Sequence, residues 1–313
     1  MADALARTEA ELRTVVESDE PFLTEVARHL IDAGGKRVRP AMTVTAAQVL
    51  NSEPGPATAD VIRGGVAVEL VRQGSLSHDD VMDAAETRRT VQSVNARWGN
   101  LEAILAGDYL LARASESAAD LGPEVAGLLA STIASLCEGQ VRELRHAFDV
   151  NRSEEAYLTS ITGKTASLLA TAARIGAIVA DHPRAVVDSV TNFGHYYGMA
   201  FQVVDDILDL IATDEELGKP SGNDLREGVY TLPVIRMIAD GHPVTDLLGQ
   251  QLDEETRDKA RAIVVEGPEI ATSVATAQEF VDTALAALDG LPATPGVQGM
   301  RDATTSLLST LER

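Results

Sequence analysis

Apolar residues recur every three or four positions along nearly the whole chain, and no stretch alternates as a half-buried strand would. This period predicts helices over about 5–32, 40–51, 58–83, 96–120, 123–146, 153–180, 183–212, 231–240, 244–265, 268–290 and 297–312. The punctuation between them suits helix ends: Gly34-Gly35, Pro54-Gly55-Pro56, Gly122-Pro123, His182-Pro183, Gly267-Pro268 and Pro292. Pro40, Pro123, Pro183 and Pro268 each fit a first helical turn, where a missing N–H costs nothing. The longest stretch without the period runs from Thr213 to Tyr230, is rich in Gly, Asp, Glu and Lys, and has the length of a functional loop. No break resembles an interdomain linker. The expectation is a single all-α domain over residues 1–313.

Composition supports that expectation. Aromatic residues make up 4% of the 313 residues while Ala, Leu and Val abound, which favours packed helices over a β-sandwich. The net charge of -22, from 48 acidic and 26 basic residues, repels phosphate backbones and argues against a nucleic-acid partner. Such a field must be reversed locally wherever an anion binds, so clustered basic residues carry unusual information. Cys137 is the only cysteine; it excludes an intrachain disulfide and is expected as a small buried residue on a helix. No window approaches about 18 consecutive apolar residues, and Met1 to Glu17 has no uncharged apolar core, so no transmembrane span and a cytoplasmic location are expected.

The strongest chemical signal is a repeated acidic cassette. Asp79-Asp80-Val81-Met82-Asp83 and Asp205-Asp206-Ile207-Leu208-Asp209 both read D-D-x-x-D. On a helix, Asp79 shares a face with Asp83 and Asp205 with Asp209. Apolar neighbours (Val81, Met82, Val203, Val204, Ile207, Leu208, Leu210) place both cassettes on largely buried helices. Two carboxylates about 4 Å apart repel by roughly 4 kcal/mol at an effective dielectric near 20. A hard divalent cation offsets this, and Mg²⁺ characteristically takes one or two carboxylates and completes its shell with water and phosphate oxygens. Two such helices facing each other would hold several metals around a diphosphate. Neither cassette has the central glycine of a calcium loop.

Basic residues answer the acids. Gly34-Gly35-Lys36-Arg37-Val38-Arg39-Pro40 sets three cations at a helix start, where backbone N–H groups and guanidinium together suit an anion. Arg88-Arg89 follow the first cassette within two or three helical turns. Gly163-Lys164-Thr165 interrupts a helix with a point charge and a hydroxyl, and Lys219 lies in the loop after the second cassette. Jointly they describe a site for metal-bridged diphosphates.

These residues resemble the trans-isoprenyl diphosphate synthases, or polyprenyl synthetases. GGKRVRP, LSHDDVMDAAETRR, GKTASL, GMAFQVVDDILD, LGKPSGNDL and TLP occur in that family's order and spacing, from about Gly34 to Pro233. The resemblance implies an orthogonal helical bundle around a deep central cavity, usually a homodimer. It implies that Asp79, Asp80, Asp83, Asp205, Asp206 and Asp209 bind three Mg²⁺ ions and the allylic diphosphate, with Arg88, Lys164 and Lys219 contacting that diphosphate. Lys36, Arg39 and Arg89 would hold isopentenyl diphosphate, while Thr165, Phe201 and Gln202 line the reacting centre. Two positions depart from the pattern. Arg72 stands seven residues before Asp79, where the family usually has His or Gln for isopentenyl diphosphate; arginine still donates to phosphate. Val229 stands where the family often has Lys, so one cation near the allylic phosphate is missing.

Gly74 and Ser75 precede Asp79 by five and four residues, about 6–7.5 Å down the helix axis. Relatives with a bulky aromatic there stop the chain early. Small residues predict a product longer than twenty carbons, with Gly74→Phe expected to shorten it; a fifteen- or twenty-carbon product is the alternative. A terpene cyclase would carry Ser or Thr where Asp209 stands and more aromatic residues. A non-catalytic partner subunit of a heteromeric synthase would usually have lost one cassette. A helical metal buffer leaves the ordered basic motifs unexplained.

Overall fold

The computed structural model of the chain describes residues 1–217 and 221–311. The chain is all-α, 74% helical. Among the described residues the only β-structure is a two-residue antiparallel pair, Thr87–Arg88 with Val91–Gln92. The residues fall into two compact units, each described by itself: Met1–Ile133 with Leu168–Gly194 and Leu288–Met300, and Ala134–Ser167 with His195–Ala287 and Arg301–Arg313.

The first unit is built on the helix Ala59–Met82, which carries the first cassette. Thr58 caps it by accepting the Val61 N–H through its hydroxyl, 3.3 Å away. Val61, Ile62, Val66, Ala67, Val68, Leu70, Val71 and Leu76 are all buried, so the helix is covered around its whole circumference rather than on one face. Its closest neighbour is the helix Asn100–Ala119. A Cβ on Gly74 would lie 3.0 Å from the Gly107 carbonyl oxygen and 3.1 Å from Leu111 Cγ, so the two axes meet where a side chain is absent. Val26, Leu30, Leu76, Val94, Ala103 and Ala106 close a shared core beside this pair.

The second unit contains the cassette end of the helix Arg184–Ile211. Val203, Val204, Ile207 and Leu210 are buried in it, and Arg261 donates to the Leu210 and Ala212 carbonyls, at 2.6 and 2.8 Å, to cap the helix end. The helix Glu154–Ile161 continues through a π-helical turn, Thr162–Ala166, into the helix Ser167–Val179. Such π-turns favour functional positions, and this one holds Gly163, Lys164 and Thr165. Gly139, on the helix Pro123–Arg145, lets that helix reach the turn: a Cβ there would stand 2.4 Å from the Lys164 amide nitrogen.

Several sequence expectations are corrected. The predicted helix 5–32 is two helices, Ala2–Val15 and Pro21–Asp32, because Pro21 starts a new first turn capped by Glu20. The helix predicted over 96–120 breaks at Gly99, whose φ of 115° no helix accommodates. The predicted helix 244–265 is a 3₁₀ turn, Pro243–Leu247, followed by a helix that begins at Glu254 under an Asp253 cap. The long loop contains two short helices, Asp214–Leu217 and Asn223–Arg226. Cys137 is exposed, not buried.

Candidate active site

The first cassette ends its helix. Asp83 is the C-cap, Ala84 takes a left-handed φ of 48°, and the Ala85 N–H returns to the Asp80 carbonyl at 2.9 Å. Arg88 and Arg89 therefore do not continue the helix. They sit on a hairpin whose two turn residues, Arg89 (φ 52°) and Thr90 (φ 68°), are both left-handed, a turn usually made by Asn and Gly. The hairpin folds Arg88 back onto the cassette, where Nε and Nη2 donate to Asp80 Oδ1 at 2.7 and 2.5 Å. Burial raises the Asp80 pKa and Arg88 opposes that rise. Asp80 is fully buried, and its other oxygen, Oδ2, has no hydrogen-bond partner. Asp79 is half-buried and Asp83 exposed. Arg72 lies two turns before Asp79 with Nη1 3.8 Å from Asp79 Oδ2, so the departure from the family pattern puts a fixed cation beside a candidate metal ligand.

Basic residues converge on a second stripe of this helix. Glu69, Gln73 and Asp80 lie along it. Arg37 donates to Glu69 Oε1 at 2.8 Å, Gln73 donates to the same oxygen at 2.5 Å, and Arg89 reaches Gln73 Oε1 at 3.4 Å. Lys36 is exposed and Arg39 half-buried on either side of Arg37. Of the chain-length pair, Gly74 faces the helix Asn100–Ala119, whereas Ser75, one helical turn before Asp79, shares the face of that aspartate. An aromatic ring at Gly74 would therefore press against the packed helix Asn100–Ala119.

The second cassette also buries its second aspartate, and with it the third. Asp205 is exposed, while Asp206 and Asp209 are buried. Asp206 accepts from the Tyr157 hydroxyl at 2.5 Å and from Gln202 Nε2 at 2.7 Å, and Gln202 Oε1 accepts from the Thr165 hydroxyl at 2.6 Å. Burial pushes the Asp206 carboxyl up to about 7, against the two hydrogen bonds that lower it. Asp209 anchors the following loop: its backbone oxygen accepts the Gly222 N–H at 2.7 Å and its side chain the Asp224 N–H at 3.2 Å. Lys164 Nζ donates to Glu143 Oε1 at 2.5 Å. Phe201 is half-buried, with its ring centroid 6.3 Å from that of Tyr197. Lys219 lies outside the described residues.

The donor set fits Mg²⁺. Every candidate ligand is a carboxylate oxygen, and Asp80 Oδ2 is a buried acceptor without a partner. Among the described residues no three His, Cys, Asp or Glu side chains converge as a ready cage. A cation that keeps waters and takes phosphate oxygens needs no such cage. Glu9, Glu69, Gln73, Glu143 and Tyr157 were not singled out by sequence reasoning, because a lone acid or tyrosine among so many carries no spacing signal.

Among the described residues no helix is long and apolar enough to cross a membrane. The sequence profile of the family described as "Polyprenyl synthetase" matches residues 20–266. Heptaprenyl diphosphate synthase component 2 of Geobacillus stearothermophilus is 38% identical over 93% of this chain and 91% of its own length. Nonaprenyl diphosphate synthase of Mycobacterium tuberculosis is 37% identical over 93% of this chain and 88% of its own. The crystal structure of a polyprenyl synthase from Caulobacter crescentus, complexed with calcium and isoprenyl diphosphate, superposes with a TM-score of 0.92 at 31% identity, over 98% of this chain and 95% of that one.

Proposed function

The chain belongs to the polyprenyl synthetase family, and on that premise we propose that it condenses isopentenyl diphosphate with an allylic diphosphate to give an all-trans polyprenyl diphosphate longer than twenty carbons. One observation carries the reading: two D-D-x-x-D cassettes, each holding its second aspartate buried and hydrogen-bonded and its first less buried.

Asp79, Asp83 and Asp205 are the less buried carboxylates that would hold Mg²⁺, joined in the first cassette by Asp80 Oδ2, and Asp206 and Asp209 act by placing Asp205 and the loop. Three Mg²⁺ bound there would neutralise the charge that grows on the departing diphosphate. Arg88 and Lys164, now paired with Asp80 and Glu143, would turn to the allylic diphosphate with Lys219. Lys36, Arg39, Arg72 and Arg89 would hold isopentenyl diphosphate, and fixing the two substrates supplies orientation. The allylic C–O bond breaks with its electron pair leaving on diphosphate. The isopentenyl double bond then forms the new C–C bond to the allylic cation, and the proton lost from the adjacent carbon passes to the released diphosphate. Thr165, Phe201 and Gln202 border the reacting carbons.

We further propose that residues 1–313 act as one catalytic domain and assemble as a homodimer in the cytoplasm. Leu101, Ile104 and Leu105 support the assembly: they form an exposed apolar i, i+3, i+4 stripe on the helix Asn100–Ala119. A heteromeric arrangement is the second reading, favoured by the name "component 2" of one relative.

Incubation of the purified chain and Mg²⁺ with isopentenyl diphosphate and five-, ten-, fifteen- or twenty-carbon primers, followed by chromatography of the dephosphorylated products, tests the function. Products above twenty carbons are expected. Turnover of an allylic diphosphate without isopentenyl diphosphate would indicate a cyclase, and turnover only with an added partner a heteromeric subunit.

A further inference from the structure

We propose that Arg37 is the positioning residue of the isopentenyl diphosphate site, fixing Lys36 and Arg39 through a chain of polar contacts, Glu9–Arg37–Glu69–Gln73, that is buried from Arg37 onward. The inference rests on the prenyltransferase reading above, which places Lys36 and Arg39 on that substrate.

Three cations occur within four residues, yet the structure uses them differently. Arg37 is 6% exposed, whereas Lys36 is open to solvent and Arg39 half-buried. A buried guanidinium cannot reach a soluble diphosphate, and this one has its donors committed to three separate elements. Nε donates to Glu9 on the helix Ala2–Val15. Nη1 donates to Glu69 on the cassette helix at 2.8 Å, and Nη2 to the Ile31 carbonyl at the end of the helix Pro21–Asp32 at 2.8 Å. The planar fork of arginine can satisfy three acceptors in fixed directions, and lysine cannot.

The backbone explains what the clamp does. Arg37 is the N-cap of the helix Val38–Ala46 in a left-handed conformation, φ 47° and ψ 40°, which a residue with a Cβ rarely adopts without compensation. Lys36 precedes it directly and Arg39 follows two residues later, so the turn at Arg37 sets the direction in which Lys36 leaves the loop and Arg39 leaves the helix. Without the clamp, the turn is free to relax and both cations lose their aim.

The same chain extends toward the other basic motif. Glu69 Oε1 also accepts from Gln73, and Gln73 faces Arg89, whose guanidinium packs on Gly35 and donates to the Gly34 and Leu30 carbonyls. One stripe of the cassette helix thus indexes the di-glycine loop and the hairpin to each other before any substrate arrives.

Direct calorimetric titration of isopentenyl diphosphate tests the proposal, together with separate KM values for the two substrates and a thermal melt of each variant. Arg37→Met is expected to raise the isopentenyl diphosphate Kd at least tenfold while the KM for the allylic primer stays within twofold. Glu9→Ala, farther from the substrate and milder for folding, is expected to raise the same Kd about threefold, and Glu9→Gln, which keeps an acceptor, to restore it. If Arg37→Met does not fold, the Glu9 pair decides. An unchanged Kd in folded Arg37→Met or Glu9→Ala overturns the proposal, as does an equal loss for both substrates. Failure of the wild-type chain to use isopentenyl diphosphate at all would instead overturn the functional reading itself.

Discussion

Asp80 has no exposed surface, and a carboxylate in that position is tolerated as an anion only because Arg88 meets it with two donors. Removing one member of a buried pair leaves a charge without a partner, typically at 3–5 kcal/mol. Arg88 keeps 29% of its side-chain surface in solvent, and Asp80 can take up a proton, so Arg88→Ala is expected to destabilise the fold by about 2 kcal/mol, less than that range. Urea unfolding of Arg88→Ala and of Arg88→Ala with Asp80→Asn checks this: the double variant should recover most of the loss. Asp206 makes the opposite demand. Its carboxyl is raised from 3.8 to about 7 by burial, so its neutral form stabilises the fold. That contribution is complete below about pH 4 and is lost as pH rises through about 7. In the metal-free protein, Asp206→Asn should therefore gain melting temperature relative to the wild type between pH 5 and pH 8. Equal differences at the two pH values would contradict the burial argument.

At the scale of elements, the helices were legible because a 3.6-residue period persists through long segments such as 59–82 and 184–211. Their interruptions were partly legible: Pro21 marks a new first turn, and Gly99 supplies the positive φ that ends a helix. The hairpin at Arg89-Thr90 was not, since its left-handed turn contains neither Gly nor Asn and is held by contacts of the Arg89 guanidinium with distant carbonyls. Glu69 and Gln73 were invisible for a related reason: their importance lies in which side of a fully buried helix they occupy, and periodicity cannot assign that side. Ser75 and Gly74 show the practical consequence. Both precede Asp79, but the Gly74 Cβ direction meets the Gly107 carbonyl at 3.0 Å, and Ser75 shares the Asp79 face. Ser75→Phe is expected to shorten the product in the primer assay. Gly74→Phe is expected instead to destabilise the fold by overpacking, about 1–3 kcal/mol, with product length set by whatever protein survives. Shortening by Gly74→Phe at unchanged stability would reverse that assignment.

At the scale of the molecule, the acidic chain concentrates basic residues locally, as the proposed binding of diphosphates requires. A net charge of -22 is offset where Lys36, Arg39, Arg72, Arg88 and Arg89 gather in one unit around the first cassette helix. The exposed stripe Leu101, Ile104 and Leu105 lies on the neighbouring helix of the same unit. Leu101→Glu with Leu105→Glu is expected to convert a dimer to a monomer in sedimentation, with the wild type running at twice the chain mass; a monomeric wild type would count against the homodimer. The central claim is the proposal that the first aspartate of each cassette serves Mg²⁺-dependent binding of an allylic diphosphate. Its most direct test is calorimetric titration of farnesyl diphosphate, with and without Mg²⁺, into the wild type, Asp79→Asn and Asp205→Asn. Mg²⁺-dependent affinity should fall at least tenfold in each variant. Full Mg²⁺-dependent affinity in either variant would contradict the claim.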